Sequence, residues 1–300
     1  MTKRHLSLIL ILITGLMPFA TMQAQTIFEG CRNRIGIGVQ GGIASMGDNT
    51  GAHNNPGGST GLNITYARSL TKSFAILSGI DLSFARTFLK AKGITTHTTE
   101  QITLSDNNNL NLVRSTQAEY RFSSISEHYD IYYIAIPIQF ILQGNAFNFS
   151  IEQFHQSYIS LGAKIALPFK FNGIGTTSGA QRFIGPDLQD AGVTLSSPLA
   201  DGVSEPLHTD YDAKAHLSPS LLILAVAEAG TMLKTNEYGA LLLSFFIEYS
   251  ILPSQLGSDQ SMLTFDNNRL INNGYLASNL ADKMRFFNCG IRIQYNFLFN

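Results

Sequence analysis

The chain has 300 residues, of which 44% are hydrophobic and only 14% charged, with a formal net charge of −1. A charge content this low is unusual for a soluble protein, and the near-neutral balance excludes the basic footprint of a nucleic-acid binder. After the N-terminus no segment supplies 18 uninterrupted apolar residues, which excludes a helical membrane protein.

The first residues, MTKRHLSLILILITGLMPFATMQAQ, place Lys3 and Arg4 before an apolar run from Leu6 to about Leu16, followed by small and polar residues. This is the layout of a secretory signal peptide over 1–24, with cleavage expected after Ala24. Loss of Lys3 and Arg4 leaves 18 basic against 21 acidic residues, a mature charge of −3. The two cysteines, Cys31 and Cys289, lie near the mature N-terminus and well inside the last strand, and read as unpaired.

From residue 25 onward the dominant signal is alternation with period 2, which predicts an all-β chain. Segment one sets Ile35, Ile37, Val39 and Ile43 against Gly36, Gly38, Gln40 and Gly42; segment two sets Leu62, Ile64 and Tyr66 against Asn63, Thr65 and Ala67. Segment three runs from Phe74 to about Thr87 with Asp81 on its polar row, and segment four, IYYIAIPIQFIL, begins at Ile131. Segment five, SYISLGAKIALPFKF, puts Lys164 and Lys170 on its polar row. Segment six, about 218–230, contains Glu228 but is nearly apolar on both faces; segment seven, YGALLLSFFIEYSIL, carries Glu248. Segment eight, FFNCGIRIQYNFLFN, carries Arg292 opposite Phe287, Ile291, Ile293, Tyr295, Phe297 and Phe299.

Eight segments of about ten residues match the smallest membrane barrels, whose tilted strands cross the hydrocarbon layer in roughly 9 to 11 residues. The connections alternate in length. Those after segments two, four and six are short, whereas those at about 46–60, 88–130, 172–217 and 253–282 are long and polar. Short periplasmic turns and long extracellular loops give this pattern, with both termini periplasmic. The expectation is an eight-stranded antiparallel up-and-down transmembrane β-barrel spanning 25–300 in the bacterial outer membrane, its apolar rows facing lipid.

YYIAIPIQF at 132–140, YISLGAKIALPFKF at 158–171 and the terminal IRIQYNFLF resemble eight-stranded outer-membrane β-barrel proteins of the OmpA-like and PorT-like kind. The resemblance covers the mature chain and implies architecture more than function. It implies that the C-terminal strand, through Tyr295, Phe297 and Phe299, is what the barrel-insertion machinery recognises, here with Asn300 following the last aromatic. With no Trp, interfacial girdles would consist of Tyr and Phe.

Asp81, Lys164, Lys170, Glu228, Glu248 and Arg292 form a mixed-sign polar set expected to pair inside the lumen, with Glu248 and Arg292 brought together on adjacent strands. The plain reading is an ion-paired plug; the sharper one is a narrow gated pore for small solutes. A second candidate, EPLHTDYDAKAH at 205–216, gathers His208, Asp210, Asp212 and His216 in one loop. Such residues serve as base and orienter or as metal ligands, and would support a membrane-embedded hydrolase or acyl-transfer enzyme. No nucleophile motif accompanies them, and a solvated loop is the simpler reading. No cofactor and no metal site is expected. Alternation in EQITL and AEYRFSSI extends strands three and four as a hairpin beyond the membrane, an edge suited to strand addition by a partner. The expected function is non-enzymatic, structural or interactive, at the cell surface. The expected partners are outer-membrane lipid, the insertion machinery and an envelope or surface protein.

Overall fold

A computed structural model describes residues 32–47, 53–71, 73–105, 111–144, 155–184, 210–213, 221–252, 262–266, 269–275, 278 and 285–299. The expected signal peptide, Cys31, His208 and His216 lie outside these residues.

Eight long strands close into a ring. In ring order they are β1 (Asn33–Gly47), β3 (Gly57–Ser69), β4 (Phe74–Ser105), β5 (Asn111–Gly144), β6 (His155–Ile184), β8 (Leu222–Asn236), β9 (Gly239–Ser250) and β12 (Arg285–Phe299). All neighbours are antiparallel, and the last strand pairs with the first from Asn33↔Phe299 to Gly47↔Arg285. Four short strands, β2 (His53–Asn55), β7 (Asp210–Ala213), β10 (Leu263–Asp266) and β11 (Arg269–Asn272), decorate one end. β2 pairs with β4, β7 with β6, and β10 with β11. The architecture is thus an eight-stranded antiparallel up-and-down β-barrel, which leaves no free edge around the ring.

The two ends differ. At one, β3 turns into β4 within a few residues, Leu70 donating its N–H to the Phe74 carbonyl at 2.9 Å. There too β8 turns into β9, with Tyr238 N–H bonded to Asn236 Oδ1 at 2.9 Å, and both termini of the described barrel, Asn33 and Phe299, face each other. At the other end β4, β5 and β6 overshoot the ring. β4 and β5 stay paired out to Ser105↔Asn111, and β6 follows β5 to Ile184↔Ala118. The hairpin expected within 88–130 is therefore the continuation of two barrel strands, joined across a third.

This overhanging sheet is bent along one line. Pairing is regular on either side of Gly93 and Ser123 but skips both, and it skips Gly179 opposite Ser123 on β6. Gly93 has φ +63° and Gly179 φ +60°, a region cheap only for glycine. At the line the burial parity of β4 and β5 inverts: Leu89 and Ala91 are buried before it, Thr96 and Thr98 after it, and likewise Ile125 gives way to Phe122 and Tyr120. The sheet folds back there, so that Tyr120, Phe122 and Ile125 join Met262, Leu263, Tyr275 and Phe286 in one apolar cluster over the barrel mouth.

Burial around the ring is the reverse of a soluble sandwich. Outward positions are large and apolar, such as Ile64 at 59%, Ile136 at 51% and Ile291 at 56% exposed, while Asp81, Lys164, Glu248 and Arg292 are at most 2% exposed inside. The apolar rows therefore face away from the barrel axis. For segment six, even-numbered residues from Leu222 to Glu228 point in, and Leu221, Ile223 and three alanines point out.

Candidate functional site

The barrel interior has three layers. Nearest the tight turns, Leu77, Ile141, Tyr158, Met232, Leu242 and Leu298 pack together. Beside them Arg34 donates to Gln143 Oε1 at 3.2 Å.

The middle layer is ionic. Lys164 from β6 is 2.5 Å from Asp81 Oδ2 of β4 and 2.5 Å from Glu248 Oε1 of β9. Arg292 from β12 donates to Glu228 Oε2 of β8 at 2.7 Å and to Gln40 Oε1 of β1 at 2.8 Å, with Asp81 Oδ2 3.8 Å away. The second oxygens of the two glutamates are used as well: Asn288 Nδ2 donates to Glu248 Oε2 at 2.9 Å, and Ser244 Oγ and the Tyr158 hydroxyl both donate to Glu228 Oε1, whereas the buried Oδ1 of Asp81 has no hydrogen-bond partner among the described residues. The Arg292 guanidinium also lies over the Phe246 ring at 5.6 Å. Six strands thus contribute to one network, three of them, β6, β9 and β12, with two side chains each.

Two sequence expectations change here. Glu248 pairs with Lys164 rather than Arg292, because the register sets Glu248 opposite Asn288 and Arg292 opposite Ser244, a full four residues along. Lys170 is absent from the lumen: the β5–β6 register shifts between Tyr132 and Tyr133, skipping Phe169, and this bulge turns Lys170 outward over the Tyr132 ring at 5.4 Å.

Above the ionic layer the mouth is filled by Tyr129, Tyr133, Leu224, Met262, Leu263, Tyr275 and Phe286. Buried Glu127 accepts from the Tyr275 N–H at 2.6 Å and from the Tyr129 hydroxyl. No alternation rule in the sequence points to Glu127, which sits inside the stretch read as a loop. Its one signal is the neighbouring aromatic pair Tyr129 and Tyr133 at the same parity.

A cavity of about 10 Å³ lies between the lower and ionic layers, lined by Arg34, Gln139, Tyr158, Glu228, Arg292 and Asn296 among others. That is room for about one water. Among the described residues no three His, Cys, Asp or Glu side chains converge as metal ligands. Asp210 and Asp212 of the other candidate lie on β7, paired with Thr176 and Ile174 at the outer edge of β6 and away from the lumen charges.

Outside, Tyr295, Phe297 and Phe299 stand with Tyr66 and Tyr238 around the turn end, with Tyr295 edge-on to Phe297 at 5.0 Å. Phe84, Tyr132 and Phe169 mark the opposite end, Phe84 and Tyr132 4.9 Å apart.

No protein-family model and no curated protein sequence matches this chain. Among solved structures, Ail, the attachment invasion locus protein of Yersinia pestis, overlaps 89% of this chain and 99% of its own at 8% identity and TM-score 0.33. Neisserial surface protein A overlaps 87% and 95% at 8% identity and TM-score 0.31. The outer membrane protein OprG from Pseudomonas aeruginosa overlaps 90% and 97% at 10% identity and TM-score 0.33. Overlaps this loose carry no argument for this chain, whose barrel rests on its own closed ring of pairings.

Proposed function

We propose that the chain is an outer-membrane barrel whose task is to anchor and hold the overhanging β4–β6 sheet at the cell surface, as a non-enzymatic interaction element. One observation carries the reading: large apolar side chains cover the outside of the ring while the charges are paired inside. Water would favour the opposite arrangement, and hydrocarbon favours this one. From Phe287 to Phe297 a strand tilted at about 45° rises roughly 23 Å, close to the ~25 Å apolar band of such barrels. The tight turns and both termini then lie in the periplasm, and the sheet outside. Phe297, Phe299 and Tyr295 face outward on the closing strand, available to the insertion machinery.

The filled lumen favours an anchor over a pore. An eight-stranded ring leaves little beyond side-chain room, and solute passage would require separating Lys164 from two carboxylates and displacing the apolar mouth cluster. The partner is an envelope or surface protein met by the overhanging sheet. The test is planar-bilayer recording of the refolded full chain, alongside a pull-down from intact envelope comparing it with a chain lacking residues 175–215. The expected result is no discrete conductance and a partner lost with the deletion. Ohmic channels from the wild-type chain would replace this reading with a pore.

A further inference from the structure

The outer face of the barrel is uneven just above the aromatic ring. On β4, β5 and β6 the outward residues form paired rows. Phe84, Tyr132 and Lys170 stand together, then Arg86, Asp130 and Asn172, then Phe88, His128 and Ile174. Beyond them come Lys90, Ser126 and Thr176, and then Lys92, Ser124 and Ser178. All three lysines are exposed. The one acid in these rows, Asp130, is held by Arg86 through two bonds of 2.6 and 2.7 Å. Lys90, Lys92 and Lys170 thus add three positive charges to the rows of β4, β5 and β6, where the only acid is already bonded to Arg86; Asp210 and Asp212 of β7 border the sector across β6, beside Thr176 and Ile174. At the same end of the other strands the described outward cation is Arg285, which is engaged with Tyr249.

We infer that this sector binds the phosphorylated sugar headgroup of an outer-leaflet glycolipid, its acyl chains lying on the Leu82, Ile134 and Leu167 belt below. The inference rests on the membrane reading above. Height selects the ligand. Lys170 stands level with the interfacial aromatics, where any phospholipid phosphate would reach it. Lys90 lies roughly 14 Å and Lys92 roughly 19 Å above Phe84, taking about 3.3 Å per residue and a tilt of about 45°. A plain phospholipid headgroup layer is only about 5–8 Å thick, so it ends below both. A headgroup extended by phosphorylated sugars reaches all three lysines. The hydroxyls between them, Ser126, Thr176 and the Ser124–Ser178 pair at 2.7 Å, offer the donors and acceptors that sugars use. Basic side chains at such a surface each strengthen attachment by a factor of about five.

The test is native mass spectrometry of the refolded full chain with a deep-rough lipopolysaccharide carrying lipid A and phosphorylated inner-core sugars. The same lipid stripped of phosphate, phosphatidylglycerol and inorganic pyrophosphate serve as comparisons. The variant combines Lys90→Gln, Lys92→Gln and Lys170→Gln; Arg68→Gln, an exposed cation at the opposite rim, is the control. Saturable binding of the intact glycolipid is expected, weakened roughly 10- to 100-fold in the triple variant and on phosphate removal, and unchanged by Arg68→Gln. Equal binding by the triple variant, equal binding of the stripped lipid or of phosphatidylglycerol, or displacement by pyrophosphate would each overturn the inference. Insertion into phosphatidylcholine vesicles, read as a compact gel band that unfolds only on boiling, is scored separately. If the chain inserts but ignores the glycolipid, the site fails and the membrane reading stands; if it does not insert, both fall.

Discussion

Lys164 shows what a single buried charge controls in this barrel. It is 1% exposed and bridges two carboxylates from strands on different sides of the lumen. Removing it strands Asp81 and Glu248 in a poorly hydrated space, and breaking a buried pair from one side costs about 3–5 kcal/mol. Lys164→Met is therefore expected to lose that much stability to urea in lipid vesicles, and adding Glu248→Gln should restore part of it, a non-additivity a double-mutant cycle reads directly. On the opposite face of β5, Ile136 is half exposed to whatever surrounds the barrel. Ile136→Lys is expected to cost about 2–4 kcal/mol in a bilayer; a neutral result would mean that water, not hydrocarbon, touches that row. Asp130 titrates differently. The hydrogen bonds from Arg86 hold its carboxyl below the usual carboxylate range, against a smaller opposing effect of burial. A folded-state value below the unfolded one means that the ion pair supports the rim fully above about pH 4 and is lost as pH falls through the depressed value. Carbon NMR of Asp130 should show its midpoint return upward in Arg86→Gln.

The elements carry their own constraints. Where β1 meets β12, Gly42 and Gly290 stand opposite each other, and a Cβ on either would come within 2.1 Å of the partner backbone. Even alanine there forces the closing seam apart, so Gly290→Val is expected to abolish the compact band on unheated gels while the chain still expresses. The bend at Gly93, Ser123 and Gly179 limits the overhanging sheet instead. A side chain in the left-handed region costs roughly 1–2 kcal/mol, and at Gly179 it would also strike the Ser123 side chain at 2.3 Å. Gly179→Val is expected to speed protease cleavage within 111–130 with the membrane part still protected, because the mouth cluster depends on the sheet folding back. Alternation exposed both strands of this overhang, yet no pattern in residues 88–130 marks the bend. A lone glycine in a strand is as compatible with a straight ladder as with a kink, and only its partners across β5 and β6 make the line.

For the molecule as a whole, parity along each strand but segment six separated an apolar row from a polar one, and the eight expected segments are the eight strands of the closed ring. Two of the short connections expected from the sequence, β3 to β4 and β8 to β9, are tight turns at one end of the described barrel. The partners within the lumen were not legible. Charges delivered by Asp81, Lys164, Glu228, Glu248 and Arg292 come from five strands, and which ones meet depends on stagger between strands, a quantity no local residue pattern encodes. A bulge at Phe169 was enough to move Lys170 from the expected interior to the outer rim. Thus the sequence by itself determined the eight strand cores and, for all but segment six, which of their rows is apolar, because side-chain direction has a period of two residues. Only the tertiary structure decided who pairs with whom inside, where the overhang folds, and which sector of the rim is positive, because those depend on register between segments up to 252 residues apart.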